Sequence, residues 1–577
     1  MKVTSKDKEE RLDFFSSLYE KARLAYSAEA ERMERRMEQY RGTLSPSEIQ
    51  KGVLTVRNIT YELIESQVSN DIPPPKVDSE VYSERRERSA SAIEHLLSSL
   101  RDKLPFEELN DLDERYTYIY GGSVWLAEWD GADGEIKVSC LSPRDFIPQP
   151  NVCNIEDMEY CFLRFTAPKE ELTRKYGADP EGAELSQESE DTVAITVCFY
   201  RGESGEVSRF VFSGGVTLSD EEDIYRRKTE ICTRCGFDRE GCRCKEPHFR
   251  LRNADGEELY GDIHLSDGRL LDKRDGERVR YYVPRRFPIV VRRNTSTERS
   301  LFGQSDCDFI RPQQEAINRI ESRILEKLIR AGVTPIMPED ATVVLNNSVF
   351  GQLIRTRPGE SISQYGTVDT TPDISRDVLE AERLYEHAKR ILGISDSYLG
   401  LADTAAESGY ARSLRISQAS GRLESKRKMK HTAYAALDRI IFEYSLAYSD
   451  APKISSYRDA WGRTHNSEFN RYDFLIRDDS GELVYDDSYL FSVDLNGGGG
   501  MSRSELWEMN LENLRSGSLG DMSDPAVLLR YWQSQERAHY PYARENVDYF
   551  TQLAESGTAG GYNAAADKSG TGGGILS

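Results

Sequence analysis

Residues 301–332 read LFGQSDCDFIRPQQEAINRIESRILEKLIRAG, and the spacing of their apolar side chains decides what element they form. Ile310, Ile317, Ile320, Ile324 and Leu328 recur at steps of three, four or seven, joined by Leu325 and Ile329, while Arg319, Glu321, Arg323, Glu326 and Arg330 fill the other face. This spacing predicts a helix from about Asp308 to Ala331 with one apolar and one wet side. Asp308 is expected to cap its start, Pro312 to sit in the first turn where no intrahelical donor is lost, and Gly332 to end it in a left-handed conformation. Periodicity alone fits a buried core helix equally well.

Outward from this helix, the chain makes a short excursion and returns. A second helix is predicted from near Ser375 to about Leu392, and the loop Gly393 to Gly409 leads into a helix that continues to about Tyr448. In the excursion from Val333 to Thr370, Pro335, Pro338, Pro358 and Gly359 break helices and VVLNNSVFGQLIRT favours strands. An ordinary β-hairpin is the plainer explanation of that stretch.

The first 120 residues read as mainly helical. Helices are predicted from Ser5 to about Tyr40, after Ser45 through Leu54, Ile59, Leu63 and Ile64 as far as Pro73 to Pro75, and from Glu80 to Lys103. At Gly121-Gly122 the character changes, with strands Ser123 to Trp129 and Ile136 to Leu141 around a turn, then Tyr160 to Phe165 and Val193 to Tyr200. This β-rich region, with insertions, extends to about Val291. After the long helix, Tyr472 to Leu495 reads as two strands around Asp478 to Gly481. Three helices follow, at Arg503 to Arg515, Asp524 to Arg537 and Pro541 to Glu555, and the Gly-rich tail 557–577 is expected to be disordered.

With 577 residues the chain has room for three to four domains. Its 99 acidic and 76 basic residues give a formal charge of −23, which opposes a role as a general nucleic-acid coat. The same acidity suits a surface past which DNA slides without sticking, although simple solubility explains it too. No stretch approaches the roughly 20 apolar residues of a membrane span, and the charged N-terminus is unlike a signal peptide, so a soluble protein made in the cytosol is expected. The P-loop, HExxH, nucleophile-elbow and dinucleotide motifs are all missing, so the chain is not expected to be an enzyme. The acidic run Asp220 to Asp223 leaves a metal-dependent nuclease or hydrolase as a remote alternative.

Cys232, Cys235, Cys242 and Cys244 fall within CTRCGFDREGCRC. Four soft thiolates at this spacing can close a tetrahedral zinc shell, with Gly236 and Gly241 allowing tight turns. His248 is an alternative to Cys244, and free thiols or a disulfide remain alternatives to zinc. A closed four-ligand site would be structural, not catalytic. Cys140, Cys153, Cys161, Cys198 and Cys307 are scattered and read as buried thiols. A basic run, Arg422, Lys426, Arg427, Lys428 and Lys430, fits contacts to phosphates or to acids of a neighbouring subunit, and equally a solvated helix face.

Several segments, taken in order, resemble the portal proteins of tailed bacteriophages. TVRNITYELIESQVSNDIPPPKV is similar to the helix that leads into the family's peripheral wing, and YIYGGSVWLAEWDG with LSPRDFIPQP to the wing's β core. DMEYCFLRFTAPKEELTRKYG is similar to the strand and short helix that follow. LFGQSDCDFIRPQQEAINRIESRILEKLIRAG resembles the descending stem helix with its Gln and Asn positions. RLYEHAKRILGISDSYLGLADTAAESGYARSLRISQASGRLESK resembles the returning stem helix, the channel-facing loop and the start of the spine helix. The likeness spans most of residues 46–556, while residues from about 200 to 285 and the far C-terminus depart from it.

The resemblance implies an α+β subunit of a ring, usually dodecameric, with a helical/β wing, a two-helix stem, a small β-containing clip, a long spine helix and a helical crown. It divides the chain into a wing at 1–305 carrying the four-cysteine insertion at 232–244, stem helices at 306–332 and 372–393, a clip at 333–371, a tunnel loop at 394–409, a spine at 410–448, wing return strands at 449–500 and a crown at 501–556. It implies that Asp396, Ser397, Asp403 and Ser408 face DNA in the tunnel loop, and that Arg355, Arg357 and Gln364 of the clip meet terminase or an adaptor. The implied partners are further copies of the chain, the terminase large subunit, a major capsid or scaffolding protein, a head-completion protein and double-stranded DNA. The implied place is the portal vertex of the virion, after assembly in the host cytoplasm. The alternative is a zinc-stapled cytosolic adaptor that holds a protein partner with its long helices.

Overall fold

A computed structural model of the chain describes residues 7–50, 52–80, 83–130, 135–176, 182–185, 191–203, 205–225, 231–232, 249–250, 282–330, 333–336, 347–348, 351–352, 366–369, 372–394, 421–449, 453–458, 464–477, 483–493, 503–517, 520, 525–537, 543, 546–547 and 549–551. Helix and sheet are mixed, so the class is α+β.

Helix α1 (Lys8–Arg41) starts where the Asp7 carboxylate accepts the Glu9 amide and stops at Gly42, whose φ of 71° a side chain would resist. The single helix expected from Ser45 through Ile64 is instead two short ones, α2 (Pro46–Gln50) and α3 (Ile59–Glu65). Two causes are visible. Gly52 takes a φ of 83°, and the amides of Leu54 and Thr55 turn aside to the Ser322 hydroxyl at 2.9 and 3.2 Å. After strand β1 (Pro75–Ser79), α4 (Glu84–Lys103) ends where the sequence reading ends it, and a further helix, α5 (Phe106–Tyr120), follows. Leu104 is extended because the ring of Pro105 disfavours helical geometry in the residue before it.

Two antiparallel sheets follow. Strands β2 (Gly122–Asp130) and β3 (Glu135–Leu141) form a hairpin. Strands β4 (Phe146–Pro148), β5 (Tyr160–Pro168), β6 (Thr192–Arg201), β7 (Val207–Ser213) and β8 (Val216–Glu221) form a five-stranded sheet in sequence order, with α6 (Lys169–Tyr176) after β5. A separate ribbon pairs β9 (Ile231–Cys232) with β10 (Phe249–Arg250), and β11 (Ile289–Arg293) adds to the free edge of β2. The first half of α1 lies on the five-stranded sheet through aromatic contacts. Phe15 stacks on Phe210 with centroids 4.4 Å apart, and Tyr19 meets Phe162 edge to face at 5.4 Å.

Helix α7 (Asp306–Arg330) begins two residues earlier than the sequence reading places it. The Ser305 hydroxyl accepts the Cys307 amide at 3.0 Å and does the capping assigned to Asp308, which pairs instead with Arg36 at 2.7 Å. Pro312 therefore lies inside the helix, not in its first turn, and supplies no amide to the carbonyl of Asp308. Gly332 lies outside the described residues. In the excursion, β12 (Val333–Ile336) pairs antiparallel with β15 (Gly366–Asp369), and β13 (Asn347–Ser348) with β14 (Gly351–Gln352). Helix α8 (Ser375–Leu392) has the expected bounds and is closed by Gly393 at φ 79°. Helix α9 (Gly421–Tyr448) is the last 28 residues of the predicted long helix, whose earlier part lies outside the described residues.

Strands β16 (Lys453–Arg458) and β17 (Thr464–Phe469) form one hairpin, and β18 (Leu475–Arg477) and β19 (Leu483–Tyr485) another. Strand β20 (Tyr489–Val493) returns to pair with β1, Pro75 opposite Val493 and Ser79 opposite Tyr489. Helices α10 (Arg503–Arg515) and α11 (Pro525–Arg537) meet through Trp507, Tyr531 and Trp532. The largest apolar cluster joins α4, α5, the β2 sheet and α9, with Trp125, Phe106, Leu437, Ile441 and Tyr444 at its centre.

Candidate functional site

Helices α7 and α8 run antiparallel. Ile310 and Ile317 share a buried cluster with Tyr385, Ala388 and Leu392, and at the other end Lys327 pairs with Asp377. The polar side of α7 is laced to α3 and the segment before it. Gln314 accepts the amide and hydroxyl of Thr60 at 3.0 Å each and donates to the Arg57 carbonyl at 2.7 Å, and Ser322 takes the amides of Leu54 and Thr55. Gln314, Asn318 and Ser322 stand four residues apart, so one helix face presents all three. Arg57 reaches across the pair, donating to Glu382 at 2.8 Å and lying 3.8 Å from Glu321.

Beyond this anchored half the apolar stripe continues without cover among the described residues. Leu325, Leu328 and Ile329 of α7 and Val378 and Leu379 of α8 are exposed, Ile329 to 71% and Leu379 to 70%. The periodicity that predicts an apolar face is correct, but only its upper half is a core among the described residues of one chain.

The other end of the pair is held by a polar stripe on α9. Lys426, Lys430, Tyr434 and Asp438 recur every four residues, all buried and all engaged. Lys426 donates to Asp306 at 2.6 Å and to Gln67 at 3.0 Å. Lys430 meets Glu114 at 3.0 Å and the Asp71 carbonyl at 2.6 Å, Tyr434 donates to Asn110 at 3.0 Å, and Asp438 accepts from Arg101 through both carboxylate oxygens at 2.7 and 2.8 Å. Arg292 of β11 completes the centre, paired with Asp113 and, at 2.8 Å, with Glu114. Burial alone would raise the Glu114 carboxyl, but Arg292 and Lys430 outweigh it and hold it at about 2. Burial lowers the Lys430 ammonium, opposed by Glu114 and reinforced by repulsion from Arg292. Two acids and two cations thus form a neutral, water-excluded cluster at the root of the helix pair.

This placement corrects the reading of Lys426 and Lys430 as contacts for phosphate or a neighbouring subunit: both ammonium groups are buried and engaged within their own chain. Arg427 is partly exposed and lies 3.7 Å from Glu424. Arg422 falls in the first turn of α9 and its side chain lies outside the described residues. The acidic run is likewise engaged, with Asp220 accepting from Arg11 at 2.7 Å and Glu221 from Arg209 at 2.9 Å. The four-residue spacing of Lys426, Lys430, Tyr434 and Asp438 was the available sequence signal for the α9 stripe, masked by the exposed cations beside it.

The expected channel residues Asp396, Ser397, Asp403 and Ser408 and the expected clip contacts Arg355, Arg357 and Gln364 lie outside the described residues. So do Cys235, Cys242 and Cys244, while Cys232 ends strand β9. Among the described residues, no group of three or more His, Cys, Asp or Glu is placed to hold a metal, and no helix is long and apolar enough to cross a membrane. Cys161, Cys198 and Cys307 are buried free thiols, the last pushed up to about 12 by burial. The chain matches no protein-family model and no curated protein.

Proposed function

We propose that this chain is the subunit of a ring-shaped portal, a passage for double-stranded DNA at one vertex of a phage capsid. The observation that carries this reading is the antiparallel pair α7 and α8, rigidly rooted at one end and exposing Leu325, Leu328, Ile329, Val378 and Leu379 at the other. An apolar face of this kind on a chain of net charge −23 calls for a partner, and repeated copies around an axis supply one to every subunit. In this reading α7 and α8 are the stem, α9 the spine, the β ribbons between 333 and 369 the clip, and the body from α1 to β11 with β16 to β20 the wing. The protein performs no chemistry. It docks the terminase motor and capsid or scaffolding protein during packaging, and later holds head-completion proteins. The acidic balance favours passage of DNA over retention on the surface.

Light scattering after size exclusion, with negative-stain class averages, tests the proposal. The expected result is a ring with a central hole and, for about twelve chains of 65.7 kDa, a mass of about 790 kDa. A uniform monomer or dimer at every concentration tried, unchanged by substitutions at Leu328 and Ile329, overturns it in favour of an adaptor.

A further inference from the structure

Strand β11 ends its sheet. The strand order is β11, β2, β3, so one edge of β11 carries no strand among the described residues. The ladder to β2 determines which backbone groups face that edge. The Ala127 amide donates to the Pro288 carbonyl at 2.9 Å and the Asn294 amide to the Gly121 carbonyl at 3.0 Å, and the register between them is unbroken, Ile289 opposite Leu126 and Arg293 opposite Gly122. Bonding to β2 therefore alternates through Pro288, Val290, Arg292 and Asn294. The amides and carbonyls of Ile289, Val291 and Arg293 turn the other way, where no described residue meets them. A row of such groups is a template for a further strand.

The edge opens on a cavity of about 400 Å³ that reaches from β11 to α9 and to the turn Ile155–Asp157. Ile289, Val290 and Val291 line it in succession. Neighbouring strand residues point to opposite faces, so a space that touches three in a row runs along the edge and not over a face. Met429, Ala433 and Ile440, four and seven residues apart on α9, give it an apolar wall. Ile289 is 2% exposed, whereas Val291 and Arg293 are partly exposed, so the edge is closed at Ile289 and accessible from Val291 onward. At the accessible end the Arg293 guanidinium donates to the Cys153 carbonyl and, at 2.9 Å, to the Asn154 side chain, but it pairs with no carboxylate among the described residues.

We propose that this edge docks an extended segment of another protein, which adds a fourth strand to the β11–β2–β3 sheet by pairing with Val291 and Arg293. The unpaired groups recur every second residue, which is the repeat of an extended chain. The wall on α9 calls for apolar, preferably β-branched, side chains at alternate positions of the guest, and the uncompensated charge of Arg293 calls for an acid beside them. One chain carries the whole site, so the inference does not rest on the ring reading.

The test is fluorescence anisotropy with the full chain and, as probe, a labelled, end-capped peptide of alternating threonine and valine flanked at both ends by aspartate. Saturable binding is expected, with a Kd below about 1 mM. N-methylation of one alternate set of peptide amides should weaken it by about tenfold or more, and of the other set should not. Arg293→Glu should weaken it by about tenfold or more and should bind a lysine-flanked peptide instead. Val291→Pro fills the edge while leaving every bond to β2, so it should lose binding and still unfold cooperatively in urea. Wild-type protein without saturable binding, or with equal loss from both methylation sets, would overturn the proposal. So would dissociation of self-associated chains by the peptide in light scattering, which would assign the edge to a second copy.

Discussion

Replacing Arg292 by Met would leave the shape of the β2 sheet intact while removing one of the two cations in its centre. Arg292 is 1% exposed and pairs with both Asp113 and Glu114. Its loss strands a buried carboxylate, for which about 3–5 kcal/mol is the expected destabilisation. The depression of the Glu114 carboxyl, which Arg292 and Lys430 share, is of the same order. That carboxyl is held at about 2 against an ordinary 4.5, and at 1.36 kcal/mol per pH unit that is about 3 kcal/mol. The sign follows from the folded value lying below the unfolded one: this stability is present above about pH 4.5 and is lost as pH falls toward 2. Arg292→Met should therefore lower stability at pH 7 and raise the pH at which acid unfolds the body. The assay is urea unfolding at fixed protein concentration, followed by tryptophan fluorescence. Trp125 is a local reporter, since its indole N–H donates to Asp113 at 2.9 Å. Arg292→Met combined with Asp113→Asn restores neutrality and keeps the Glu114–Lys430 pair. It should recover at least half of the loss. A single variant within about 1 kcal/mol of wild type, or a double variant as costly as the two singles summed, would refute the electrostatic account.

Ile329→Glu should abolish the large assembly in light scattering yet change the unfolding free energy of a single chain by no more than about 0.5 kcal/mol, because the side chain is already exposed. Gly121→Ala should destabilise by more than about 2 kcal/mol in the same urea assay, since Gly121 has φ 97° and a Cβ there would lie 2.2 Å from the Gly303 carbonyl oxygen. Lys426→Met should leave Asp306 to the amides of Gln67 and Asn294 and loosen the start of α9 from α7; amide exchange should quicken across Gly421 to Met429 while α4 and α5 keep their protection.

The elements that periodicity and turn chemistry specify were readable in advance. The hairpin β2–β3, strands β5 and β6, and helix α8 with its Gly393 stop lie within a few residues of expectation, because each carries its own alternation or cap. The errors fall where distant residues decide. Nothing local announces that Ser322, 268 residues beyond Leu54, will capture the amides of Leu54 and Thr55 and break a helix, or that Arg36, 272 residues away, will engage Asp308 and leave the cap to Ser305. The cation run on α9 shows the same limit: composition identifies five basic residues, but only the packing of α5, β11 and the start of α7 separates the buried Lys426 and Lys430 from the partly exposed Arg427.

The pairing of β1 with β20 sets a schedule for synthesis. Ser79 cannot meet Tyr489 until the ribosome has travelled the 410 positions from one to the other, on the order of 20–80 s at ordinary elongation rates. Tyr489 and Val493 belong to the largest apolar cluster, Tyr489 against Phe442 of α9, so that part of the core stays open until β20 is made. What β20 covers stays open for that interval, which places the hazard of misassociation through the unfinished main core before translation ends.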